Sequence, residues 1–230
     1  MGINGLYWIM FIGVAVLSYI VQAVFKNRFD KASRYPMTGG LSGSDVASKM
    51  LSDNGIHDVS VTSTKGQLTD NYNPSNKTVN LSEPVYGERT IAAAAVAAHE
   101  CGHAVQHASG YGPLRMRSAL VPVVSFASKA VTWVLLAGMF LINIFPGLML
   151  FGIILFGLTT LFSFVTLPVE INASRRAIAW LSGSGLIDYS NRDVAEKALR
   201  AAAYTYVVAA LSSLATLIYY ILIFTGGRRD

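Results

Sequence analysis

Long runs without charge constrain this chain more than any other feature. Leu6 to Phe25 is 20 residues with no charged side chain, residues 118–169 carry only Lys129, and Ala201 to Phe224 is again uncharged. A helix rises 1.5 Å per residue, so about 20 apolar residues cross the roughly 30 Å core of a bilayer. The middle run has 52 residues, too many for one crossing and enough for two. Its natural turn is Asn143-Ile144-Phe145-Pro146-Gly147. The spans are then about 120–143 and 147–168, the second ending at Leu167-Pro168. Lys129 falls in the first turns of its span or faces protein, and snorkelling to the interface is the simplest role for it. A cleaved signal peptide is the other reading of the first run. No basic segment precedes it and no small-x-small cleavage site precedes the basic residues that follow, which favours an uncleaved anchor. Buried helices of a soluble protein do not account for three such runs, one of double length.

The charge that remains is concentrated. Hydrophobic residues make up 53% of the chain and charged ones 13%, about half the charged share of a soluble domain. Residues 26–117 hold 18 of the 31 charged side chains, the signature of a polar domain set among membrane helices. Within it, Ser44 to Asn54 reads as a short helix closed by Gly55, and Val59, Val61 and Thr64 mark a strand. Asn71-Tyr72-Asn73-Pro74-Ser75-Asn76 reads as a turn cluster. Lys77 to Ser82 alternates like an exposed strand, and Ile91 to His107 is an alanine-rich helix. Beyond the hairpin, Glu170 to Leu181 is amphipathic and Ser182-Gly183-Ser184-Gly185 is a flexible break. Asn191 to Arg200 opens the last helix.

The net charge of +5 includes no polybasic run and no basic, aromatic-interleaved patch, so nucleic acid is not an expected partner. The excess reads as a topology signal. Lys26, Arg28, Lys31 and Arg34 follow the first span, and Arg115 and Arg117 precede the second. Arg175 and Arg176 follow the third, and Arg192, Lys197 and Arg200 precede the fourth. All lie on one face. The other face has no charge in the 143–147 turn and only Arg228 and Arg229 at the end. The polar domain is expected in the cytoplasm, with both termini outside. The single cysteine excludes an intrachain disulfide and fits a reducing compartment.

His99-Glu100-Cys101-Gly102-His103 lies on the alanine-rich helix. Residues i and i+4 share a helix face one turn apart, so two imidazoles there can reach one tetrahedral metal. The intervening glutamate lies beside the water that the metal holds. Zinc lowers the pKa of that water and polarises a scissile carbonyl, and Glu100 takes the proton as general base and passes it to the leaving amine. Gly102 offers close approach opposite or beside the metal. The alternative reading is two satisfied histidines and a surface glutamate on an amphipathic helix. A catalytic zinc needs a third protein ligand and an open position. Glu170 is a lone carboxylate where a span meets a new helix, costly there unless paired or metal-bound. His107, eight residues after His99, is about 12 Å along a straight axis, and reads rather as a supporting or transition-state group or a packing residue. Cys101 reads as a small buried thiol, and His57 as a solvated surface residue. Thr78, Val79, Asn80 and Leu81 are candidates to hold an extended peptide by strand addition, with an ordinary edge strand the equal alternative. Arg175 or Arg176 is placed either to pair with a carboxylate near the metal or to anchor at the membrane interface.

These residues carry a resemblance to the YugP-type neutral zinc metallopeptidases of bacterial membranes. It extends over nearly the whole chain. It rests on Gln67-Leu68-Thr69-Asp70 with Tyr72 and Pro74, on Lys77-Thr78-Val79 with Leu81-Ser82, and on Ala97 through His107. Leu167-Pro168-Val169-Glu170 with Ala173-Ser174-Arg175-Arg176-Ala177 completes it. That family is similar to the HtpX-type membrane proteases, which are gluzincins and draw the third zinc ligand from a glutamate on a second helix. The resemblance thus implies Glu170. Such helices often carry an aspartate four residues later that braces a ligand histidine, where this chain has Ser174. Relatives often have Asp where this chain has Asn172, and His and Asp where it has Asn71 and Asn73. These departures leave the ligands intact and touch the groups that orient them.

The chain is therefore expected to be a mainly α membrane protein. About four transmembrane helices carry a small α+β zincin-like catalytic domain inserted after the first span. The expected segments are residues 1–25, the first span; 26–117, the cytoplasmic domain; and 118–169, the two-span hairpin. Residues 170–200 complete the zinc site, and 201–230 form the fourth span and tail. The expected function is zinc endopeptidase action, with one Zn2+ per chain, on membrane or misfolded polypeptides. The expected location is a bacterial inner membrane, with the lipid bilayer as a partner and a homo-oligomer or membrane-protein partner left open. The competing reading is a proteolytically silent adaptor, or a subunit of a larger protease assembly, that keeps zinc for structure. The intact Glu100 argues for activity.

Overall fold

A computed structural model describes residues 3–226. Arg228 and Arg229, which entered the orientation argument, lie outside the described residues. The described chain is mainly helical, in the order α1 (Ile3–Ser33), α2 (Gly43–Asp53), β1 (Ser60–Thr64), β2 (Asn71–Asn73) and β3 (Thr78–Ser82). Then follow α3 (Glu83–Gly87), α4 (Ile91–Ala108), α5 (Gly112–Phe140), α6 (Pro146–Gly183) and α7 (Tyr189–Gly226). Among the described residues, four helices are long and apolar enough to cross a membrane: Trp8–Ser33 within α1, and α5, α6 and α7.

One expectation about the helices needs correction, that Lys129 faces protein. α6 runs unbroken from Pro146 to Gly183 with Pro168 inside it, and the division between the two compact units falls between Leu167 and Pro168. Proline removes one backbone donor and crowds the preceding turn. The residues around it, Val165, Val169, Ala173 and Ala177, are buried and hold the helix together through packing. Lys129 lies on α5 and is exposed, so it is not turned into protein.

The chain divides into two compact units. One comprises Val21–Arg115 and Pro168–Thr205. Its α2 starts at a reciprocal cap, in which the Ser42 side chain accepts from Asp45 N–H and Asp45 accepts from Ser42 N–H. Val46, Ala47, Met50 and Leu51 then face inward together, as helical spacing requires. They join a core with Val79 and Leu81 of β3, the alanine face of α4, Ala177 and Leu181 of α6, and Ala195, Ala198 and Leu199 of α7.

The sheet of this unit has strand order β1-β3-β2, with β1 parallel and β2 antiparallel to β3. This overturns the expectation of an edge strand at Lys77–Ser82. β3 is the central strand: Thr78, Val79 and Asn80 have partners in both β1 and β2, and Leu81 has one in β1, so β3 is not a free edge for an added peptide. Val79 and Leu81 point into the core. The second neighbour, β2, comes from the first half of the presumed turn cluster; only Pro74 onward forms the turn. Asn71 and Asn80 carry a side-chain ladder across all three strands: Thr62 Oγ1 donates to Asn80 Oδ1 at 2.7 Å, and Asn80 Nδ2 donates to Asn71 Oδ1 at 2.7 Å. Asn73 Oδ1 accepts from Ser75 N–H, which starts the turn into β3.

In the other unit, Ala127, Val131, Leu135, Met149, Ile153 and Leu155 form a separate apolar cluster. Glycines bring α5 and α6 close there: a Cβ added at Gly138 would lie 2.7 Å from Met149 Cα. Thr160 and Ser213 share a 2.7 Å hydrogen bond that ties α6 to α7.

Candidate metal centre

Two elements of the first unit meet to make the centre. Helix α4 begins at Thr90, whose side chain accepts from Ala93 N–H, and its next turns are almost all alanine. Small side chains let neighbouring backbones approach. At Gly102 the approach is extreme: an added Cβ would lie 2.7 Å from Ala173 O and 3.1 Å from Ala173 Cα of α6. The close approach expected of Gly102 is thus made by α6, and it carries Glu170 up to the imidazoles.

His99, one turn before His103, presents its ring edge-on to that of His103, with centroids 4.9 Å apart. Their Nε2 atoms lie 3.2 Å and 3.6 Å from Glu170 Oε2. One ligand atom from each of His99, His103 and Glu170 lies within 4.8 Å of the others. Bonds of about 2.1 Å in a tetrahedral site put ligand atoms about 3.4 Å apart, so this donor set fits a zinc-sized ion. His103 and Glu170 are buried and His99 is half-buried.

The other ring nitrogens are also engaged. His99 Nδ1 lies 3.1 Å from Ser174 Oγ, and His103 Nδ1 lies 3.0 Å from Gln106 Oε1. Gln106, itself buried, donates from Nε2 to Val169 O and to Asn172 Oδ1 on α6. Arg176 donates from Nε to the same Asn172 oxygen at 2.8 Å. The two departures at 172 and 174 therefore sit directly behind the histidines. Sequence reasoning assigned no role to Gln106. Its spacing of three from His103 was the available signal, since i and i+3 share a face.

Glu100 is buried. Burial raises its pKa above the usual carboxylate range, against the opposing pull of His99 and His103. For His103, burial opposes the charge, but the Glu170 and Glu100 carboxylates and the bond to Gln106 hold its pKa above the ordinary value. Cys101 is buried with its thiol toward Ala47 O, and burial pushes its pKa up. His57 is exposed.

His107 is not among the grouped donors. It is exposed at the end of α4 and shares a 2.7 Å hydrogen bond through Nδ1 with the Tyr72 hydroxyl of β2. Arg175 is exposed, and its neighbour Arg176 is the one that reaches the groups behind the histidines.

The family described as "Putative neutral zinc metallopeptidase" matches residues 7–225. A Bacillus subtilis (strain 168) protein described as "Putative membrane protease YugP" is 43% identical over 214 residues, covering 93% of this chain and 94% of that protein. No solved structure matches.

Proposed function

Because the chain belongs to this neutral zinc metallopeptidase family, we propose that it is a membrane zinc endopeptidase of gluzincin type, with one zinc held by His99, His103 and Glu170. The observation that carries the reading is the convergence of two imidazole nitrogens and one carboxylate oxygen, each helix supplying what the other lacks. Zinc in such a site supplies Lewis acidity, polarising a carbonyl and easing ionisation of water. Glu100 is the general base: it accepts a proton from the attacking water and delivers it to the amine that leaves. Ser174 and Gln106 hold the imidazoles with their Nε2 atoms toward Glu170.

An extended substrate would add to β2, the sheet edge tied to α4 through Tyr72 and His107. Membrane or misfolded polypeptides remain the proposed substrates. The proposed catalytic segment is residues 26–117, inserted after the first span, with 170–200 completing the site. Lys and Arg placement puts it on the cytoplasmic side of a bacterial inner membrane.

The test is cleavage of casein by the detergent-purified full chain with zinc, beside Glu100→Gln. Wild type is expected to cleave, and the variant to lose about a thousandfold while keeping zinc. Equal cleavage by both removes Glu100 from the mechanism. Zinc binding with no cleavage by wild type favours the silent-adaptor reading.

A further inference from the structure

Behind the candidate ligands lies an amide whose surroundings permit one orientation, and we infer that Gln106 is a positioning residue that sets the tautomer of His103. The inference rests on the zinc reading above. The two ends of an amide are told apart by their partners. Gln106 is completely buried. Its Nε2 lies 2.8 Å from Val169 O and 3.0 Å from Asn172 Oδ1. A main-chain carbonyl only accepts, so the end of Gln106 that faces Val169 is the NH2 group. Asn172 is oriented in the same way. Its Oδ1 also receives Arg176 Nε, and a guanidinium only donates.

Both hydrogens of the Gln106 amide are then committed to α6, and Oε1 is the end left for His103. That oxygen only accepts, so His103 Nδ1, 3.0 Å away, carries the hydrogen. In a neutral imidazole Nε2 then holds the lone pair. Nε2 is the atom 3.6 Å from Glu170 Oε2. One sense of hydrogen bonding thus runs from Arg176 and the α6 main chain through Asn172 and Gln106 to the nitrogen that faces the metal position.

His99 is held differently. The hydroxyl of Ser174 both donates and accepts, so it supports either tautomer of His99 and dictates neither. The two candidate ligands are not equivalent on their Nδ1 sides: the partner of His103 Nδ1 only accepts, whereas the partner of His99 Nδ1 can donate or accept.

The test uses the full chain in detergent with 15N-labelled histidine. The chain has four histidines, so the ring signals are few, and His103 is identified by its loss in His103→Asn. At alkaline pH, without metal, His103 is expected as the Nδ1–H tautomer. Gln106→Leu is expected to release that preference and to weaken zinc about 10–100-fold in competition with a chromophoric chelator. Asn172→Asp still accepts from both Gln106 and Arg176, and is expected to stay within about threefold of wild type. An Nε2–H tautomer in wild type overturns the inference, as does a Gln106→Leu chain with tautomer and zinc affinity unchanged. Should Gln106→Leu not fold, the wild-type tautomer decides alone. A wild-type chain that binds no zinc overturns the zinc reading, while Nδ1–H in that same sample still supports the tautomer inference.

Discussion

Burial resists ionisation of Glu100, and this has a cost in the metal-free chain. The sign follows from linkage. A carboxyl whose folded pKa is raised favours the fold where it is protonated, and that contribution is lost as pH rises through the folded value. At neutral pH the wild type therefore carries a penalty that a neutral isostere does not. Glu100→Gln is expected to stabilise the metal-free chain by on the order of 1 kcal/mol at neutral pH. The gain should shrink toward zero as the pH falls below the folded pKa. Thermal unfolding in detergent across pH checks it, and a variant that is less stable than wild type at neutral pH contradicts it. The same substitution should abolish cleavage, as a group held for chemistry at the expense of stability should.

At the scale of elements, the centre depends on how closely α6 approaches α4. Alanine is the better helix former by about 1 kcal/mol, so Gly102→Ala would stabilise an isolated α4. In the folded chain its Cβ meets backbone atoms of Ala173, which cannot rotate away. Gly102→Ala is expected to destabilise by about 1–3 kcal/mol and to weaken zinc, because α6 carries Glu170, Asn172 and Ser174. Gly157→Ala, where an added Cβ meets nothing within 4 Å, is the control and should be neutral or mildly stabilising. Paired unfolding and zinc-affinity measurements test both; zinc retained in a more stable Gly102→Ala chain contradicts the account.

Elements also show what the sequence made legible. The histidine pair on α4 and the long apolar helices could be read because each is written in local spacing. The strand order could not. Val79 and Leu81 announce one buried face of β3, but alternation says nothing about how many neighbours a strand has. The missing neighbour hid in Asn71-Tyr72-Asn73, whose composition favours turns and whose extended form is decided by pairing with β3. Gln106 was unassigned, and Asn172 was singled out only through the family resemblance, because their roles depend on contacts 63 and 66 residues apart in sequence.

For the whole molecule, four long apolar helices and a family match over residues 7–225 make this a membrane zinc metallopeptidase relative along essentially its full length. Placement of Lys and Arg predicts both termini outside. A reporter fused after Asp230 is expected to behave as exported, and a cytoplasmic readout overturns that orientation. The central claim, however, is the donor set that joins α4 to α6. The measurement that tests it most directly is zinc content of the purified full chain beside Glu170→Ala and His107→Ala. About one zinc per chain is expected in wild type and in His107→Ala, and near none in Glu170→Ala after equal dialysis. Zinc retained in Glu170→Ala, or lost equally from both variants, would contradict the account.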